Sequence, residues 1–108
     1  MQRNATFNVT VQPLDDQVVA AVKGEVDISN AAELALRLEG AARQALPRHL
    51  TVDLSDLRYM DSSGLRSLIT VHNAHPQTRL VVRSGSLVAR ILSVSQLDGV
   101  FDIQRVPQ

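Results

Sequence analysis

The sequence predicts one α/β domain: a mixed, mostly parallel β-sheet of about five strands with helices packed against it, in the order β-β-α-β-α-β-α-β. Three observations carry this. Short apolar runs alternate with amphipathic runs of helical period along most of the chain. The first two strand-like runs are separated by a turn alone, which makes them antiparallel and gives the sheet its mixed character. The 108 residues suffice for one core and are too few for two, so residues 1–108 form a single domain.

Each element has its own signal. Phe7 to Gln12 alternates apolar Phe7, Val9 and Val11 with polar Asn8, Thr10 and Gln12, the pattern of a half-buried strand. Pro13 to Asp16 is a turn, and the Val/Ala-rich Gln17 to Val26, broken by Gly24, is the second strand. Asp27 to Asn30 offers capping groups for a helix with Ala31, Leu34, Ala35, Leu38, Ala42 and Ala45 on one face. Glu33 and Arg37, and Glu39 and Arg43, sit four apart in the favourable order, and Pro47 ends the helix. His49 to Leu54 is a buried strand. Ser63 to about Asn73 is a helix with Leu65, Leu68, Ile69 and His72 on one face. After the loop His75 to Thr78, Arg79 to Arg83 is a strand. Leu87 to about Ser95 is a third helix with Leu87, Ile91 and Val94 inward, and Phe101 to Val106 is the last strand.

Composition excludes several function classes. The chain has 11 basic and 11 acidic residues and no basic run, so nucleic acid is not an expected partner. With 44% hydrophobic residues but only three aromatic ones, the core must be aliphatic. The absence of cysteine removes disulfides and thiolate metal sites. His49, His72 and His75 show no ligand spacing, and no cofactor motif is present. The start, Met1-Gln2-Arg3-Asn4, has no apolar leader segment behind it. No apolar run approaches the roughly 20 residues that cross a membrane. A cytoplasmic domain without a membrane partner is expected.

The segment Met60-Asp61-Ser62-Ser63-Gly64-Leu65 is the most informative stretch, because it hands an apolar strand over to an amphipathic helix. A hydroxyl there can cap the helix. It can also carry a phosphate, since a helix N-terminus offers free amides and a favourable dipole. One helix needs one cap, so one of the two serines has an uncommitted hydroxyl. Gly64 costs helix stability and suits close approach of another molecule. Phosphate would add about −1.5 to −2 charges beside Asp61. Asp27 stands before the first helix, where it either caps that helix or lies near Ser62 across neighbouring strand ends.

A nucleophilic Ser62 is the sharper rival. The local sequence is not Gly-x-Ser-x-Gly, and His72, about 14 Å along the same helix, is too far to act as base. Asp53 and Asp61 as paired catalytic acids have nothing to fix their separation. No catalytic role is expected.

Val52-Asp53-Leu54-Ser55 with Met60-Asp61-Ser62-Ser63-Gly64-Leu65 resembles the signature of STAS domains, specifically bacterial anti-sigma factor antagonists. Gly24-Glu25-Val26-Asp27 resembles their Gly-Glu-hydrophobic-Asp segment. The likeness extends through Leu87 to Leu92 and Leu97 to Phe101. The resemblance implies the STAS fold and a partner-switching role in transcription regulation. In that family the unphosphorylated antagonist binds an anti-sigma factor, a serine kinase with a GHKL-type ATPase fold, and frees a sigma factor. The kinase phosphorylates the serine after the motif aspartate, and a PP2C-type phosphatase reverses this. Carried over, the acceptor is Ser62, with Ser63 the second candidate and the expected helix cap. Asp27, Asp61, Ser62, Ser63, Gly64 and Leu65 then form the partner-binding surface. The stretch His72 to Thr78 departs from the family in being shorter and lacking a Gly-rich turn. The resemblance leaves a second reading, a STAS subunit bound constitutively to a non-kinase partner such as a lipid-transport ABC ATPase.

Overall fold

The computed structural model describes residues 6–108; the reading of the start at residues 1–4 lies outside them. The described residues form six strands, three α-helices and a single 3₁₀ turn at Leu97–Gly99. The strands are β1 Phe7–Pro13, β2 Gln17–Val26, β3 His49–Asp53, β4 Leu57–Met60, β5 Arg79–Arg83 and β6 Asp102–Val106. The helices are α1 Ala31–Ala45, α2 Ser62–Ala74 and α3 Leu87–Val94. The sheet runs β1-β2-β3-β5-β6, and β4 pairs with β2 off this path. Only β1 and β2 are antiparallel; every other pairing is parallel. The mixed, mostly parallel sheet is as expected, with one strand more.

The extra strand is β4. Its burial reads buried, exposed, exposed, buried, so it lacks the alternation that marks a half-covered strand. It pairs with β2 alone, beyond the point where β3 leaves, and the register shifts between Gly24 and Glu25. Gly24 permits this. Its φ is +105°, and a Cβ there would lie 2.5 Å from the Thr6 carbonyl oxygen.

One aliphatic core joins the layers. Val18, Ala20 and Val22 of β2, Leu50 and Val52 of β3, and Leu80 and Val82 of β5 pack with Leu34 and Leu38 of α1 and Leu68 and Val71 of α2. Truncating any of these leucines to alanine removes roughly 2–5 kcal/mol. Phe101 is the one buried aromatic among the described residues, and its ring meets His72 edge-on at 4.9 Å between centroids.

Two helix faces differ from expectation. On α1 the buried set gains Ala41, while Ala35 is half-buried and Leu36 exposed. Of its two i,i+4 pairs, Glu39 and Arg43 meet at 3.7 Å, whereas Glu33 and Arg37 form no ion pair with each other or with any other described residue. On α3 the inward residues are Val88, Ala89 and Leu92; Leu87 and Val94 face outward, Val94 at 83% exposure. At 100° per residue Val88 and Leu92 lie opposite the polar Arg90 and Ser93, whereas Leu87 and Val94 lie next to Arg90, so the helical period itself marks the buried face. That face packs against β4 and β5.

Candidate partner-binding site at the ends of β2 and β4

Parallel pairing brings two loops together. Val26 and Met60 are register partners at the ends of β2 and β4, and the Asp61 amide donates to the Val26 carbonyl at 3.3 Å. The chain leaves one strand through Asp27 and the other through Asp61. The segments carrying Asp27 and Ser62 therefore emerge side by side.

Asp61, not Ser63, caps α2. Its backbone is extended, and its carboxylate accepts from the Ser63 amide at 2.8 Å and the Gly64 amide at 3.3 Å. A carboxylate at this position also meets the positive end of the helix dipole. The expected serine cap is thus displaced by a stronger, charged acceptor two residues upstream. Two amides that a phosphate could have used are already occupied. Ser62 is exposed and Ser63 half-buried, and among the described residues neither hydroxyl makes a hydrogen bond.

Gly64 is explained from inside the molecule. It is buried, and a Cβ there would lie 2.4 Å from Met60 Cγ and 3.0 Å from Val26 Cγ1. The glycine lets α2 start directly over the β2–β4 ladder. Leu65 beside it is buried in the core, so its side chain supports the loop rather than facing a partner. Ser67, which sequence reading passed over, holds the two helices in place. It is buried, and its hydroxyl donates to the Ala31 carbonyl at 2.7 Å, tying α2 to the first turn of α1. A lone serine on the apolar face of a helix is the signal that could have found it.

Asp27 neither caps α1 with its side chain nor stands free. Its carboxylate accepts from the Ser29 amide at 2.8 Å and the Ser29 hydroxyl at 2.5 Å, closing a turn. Its carbonyl accepts from the Asn30 and Ala31 amides. Asn30 fixes the base of the turn, accepting from the Asp27 amide and donating to the Glu25 carbonyl, both at 3.0 Å. Ile28 is left at the turn's tip at 84% exposure.

The enzyme candidates separate. His72 packs on Phe101, on the second half of α2, and Asp53 is spent on the Ser55 amide and hydroxyl at 2.9 and 2.7 Å. No group of three metal-ligating residues occurs among the described residues. No helix among them is long and apolar enough to cross a membrane. The short turn after α2 closes without glycine, through the Thr78 amide and hydroxyl on the His75 carbonyl at 3.0 and 2.7 Å. It lies at the far end of a 13-residue helix, about 20 Å from Ser62.

The profile of a family described as "Mlab, STAS domain" matches residues 9–105. The chain belongs to the STAS domain family. Solved structures agree on the fold. An anti-sigma factor antagonist from Mycobacterium paratuberculosis superposes with a TM-score of 0.79 at 24% identity, over 91% of this chain and 85% of that one. A putative anti-sigma factor antagonist from Thermotoga maritima gives 0.67 at 20% identity, over 91% and 86%. The antagonist SpoIIAA in its unphosphorylated form gives 0.67 at 18% identity, over 92% and 88%. The mixed sheet and three helices described above are this STAS fold, and the Asp61–Leu65 loop lies at the C-terminal ends of β2 and β4 within it.

Proposed function

We propose that this STAS domain is an anti-sigma factor antagonist that works by binding and has no catalytic role. In this reading the unmodified protein binds an anti-sigma factor serine kinase of GHKL-type ATPase fold and so frees a sigma factor. Phosphorylation at Ser62 ends the complex, and a PP2C-type phosphatase restores it. Ser63 is the second candidate acceptor. Asp27, Asp61, Ser62 and Ser63 belong to the docking surface, with Gly64 and Leu65 holding its shape from beneath.

The observation that carries this reading is the division of labour at α2. Asp61 does the capping, which leaves the Ser62 hydroxyl exposed and uncommitted on the first helical residue. Phosphate there adds about −1.5 to −2 charges next to a carboxylate that already holds two amides. In the free protein, water solvates that charge. Under a partner, it must be buried unpaired beside Asp61. A loss of roughly 2–3 kcal/mol weakens binding about 30- to 150-fold, enough for a switch.

The test is the intact mass of protein purified from its native cells, before and after a PP2C-type phosphatase. A gain of about 80 Da, lost on treatment and mapped to Ser62, is the expected result. A second reading has one observation in its favour: Asp61 and Gly64 are both used by the fold itself, so the motif has a structural reason to exist. It makes the chain a constitutive subunit of a non-kinase partner such as a lipid-transport ABC ATPase. Absence of modification under growth and stress, with an ATPase co-purifying, selects that reading.

A further inference from the structure

Strand β1 is an open edge of the sheet: among the described residues it pairs with β2 alone. Edge strands are commonly guarded by charge, and the opposite edge, β6, carries Asp102 and Arg105. β1, Phe-Asn-Val-Thr-Val-Gln-Pro, carries no charged residue along its length. Its Val11 is left 40% exposed.

The direction of its backbone groups is fixed at both ends. The Glu25 amide donates to the Thr6 carbonyl at 2.9 Å, and the Leu14 amide donates to the Gln17 carbonyl at 2.8 Å. The register between these points is unbroken, from Phe7 against Gly24 to Pro13 against Val18. Even-numbered residues therefore bond to β2, while Phe7, Val9 and Val11 aim their amides and carbonyls at the open edge. Pro13 falls in the outward set, where its missing N–H costs no bond to β2.

The strand is its own complement. Consider a second β1 laid antiparallel to the first about a two-fold axis at Thr10. Phe7 then stands against Pro13 of the other copy, Asn8 against Gln12, Val9 against Val11, and Thr10 against Thr10. Every pair joins like with like: apolar with apolar, carboxamide with carboxamide, hydroxyl with hydroxyl. Val9 and Val11 exchange amide-to-carbonyl bonds in both directions, and the Phe7 amide donates to the Pro13 carbonyl. Odd residues meet odd, so the apolar face of one sheet continues into that of the other and Val9 covers the exposed Val11.

We propose that β1 pairs with β1 of a second copy of the chain, joining two sheets into one across a two-fold axis. The occupant is argued from two features of the strand: outward amides that an extended strand satisfies, and a side-chain order that reads the same in both directions, as an isologous interface demands. One strand pair buries an area at the low end of specific interfaces, below about 1,200 Å², so the dimer is weak and reversible. The two strands run oppositely, so the Asp27 and Ser62 loops of the two copies lie at opposite ends of the joined sheet and both stay open. The pairing is independent of the phosphorylation reading, because it uses neither Ser62 nor its loop.

The test is analytical sedimentation of the full chain from low to upper micromolar concentration. The weight-average mass is expected to rise from that of one 11.8 kDa chain toward twice that value. Thr10→Lys sets like charges face to face at the axis and should weaken association about tenfold or more. Mixing it with Thr10→Glu should restore the dimer as a mixed pair. The chain has no cysteine, so Thr10→Cys is a clean reporter of register. Across a non-hydrogen-bonded antiparallel pair its Cα atoms stand about 4.5 Å apart, within disulfide reach, and mild oxidation should link the copies. Gln12→Cys places the two sulfurs on residues about 13 Å apart along the strands and should not link. Thr10 and Gln12 are exposed, and unchanged circular dichroism confirms folding. A single-chain mass throughout the concentration range overturns the proposal. So does a dimer indifferent to Thr10→Lys, or equal cross-linking of the two cysteine variants, since the copies must then meet elsewhere.

Discussion

Gly64→Ala separates a glycine kept for the fold from one kept for a partner. The added Cβ lies 2.4 Å from Met60 Cγ, 3.0 Å from Val26 Cγ1 and 3.2 Å from Met60 Sδ. Carbon atoms rest at about 3.5–4.0 Å, so roughly 1 Å must be opened at Met60. Neither neighbour has solvent to move into, Met60 being 1% and Val26 0% exposed. Overpacking of this kind costs about 1–3 kcal/mol. Alanine returns up to about 1 kcal/mol of helix propensity, less at a helix start than at its middle. The net expectation is a loss of about 1–2 kcal/mol, which for a domain of this size lowers Tm by about 5–10 °C. Thermal and urea unfolding read this directly. Gly40→Ala, at low micromolar concentration, is the matched control. With nothing within 4 Å of its new methyl, it should gain about 0.5–1 kcal/mol. A Gly64→Ala protein as stable as the parent, alongside a stabilised Gly40→Ala, would refute the packing argument. If that stable protein also lost its partner, Gly64 would serve the partner's approach.

Other outcomes follow from the same geometry. Asp61→Ala strips the cap from α2 and should cost about 1 kcal/mol by urea unfolding, whereas Ser63→Ala should cost close to nothing. Ser67→Ala removes the hydroxyl that ties α2 to α1 and should cost about 1–2 kcal/mol. For the proposed switch, Ser62→Ala should bind the partner kinase without being regulated, and Ser62→Asp should bind poorly by calorimetry. Equal affinities of these two variants would sink the repulsion mechanism.

Sequence legibility followed the strength of local signals. The three helices began and ended within a residue or two of their expected bounds, because capping residues, Pro47 and period 3.6 act over a few neighbours. The strand β4 was not visible, because four residues exposed only at their middle pair carry no alternation. The face of α3 was legible but misassigned: Arg90 and Ser93 mark the outer side, and Leu87 and Val94, expected inward, lie next to Arg90. At the candidate site the sequence singled out the Asp61–Leu65 loop and assigned the cap to Ser63, whereas Asp61 caps α2. Both serines and the aspartate can cap, and only the backbone path shows which one precedes the first helical residue.

The sequence by itself determined the class of fold, the three helices and the STAS membership, since all three rest on residue order and short-range pattern. The tertiary structure alone decided that Val26 and Met60 pair, that the Asp27 and Ser62 loops emerge together, that Gly64 yields to Met60 and that Leu36 faces out. Those facts depend on contacts between segments tens of residues apart, which no local propensity encodes and which exist only once the sheet has closed.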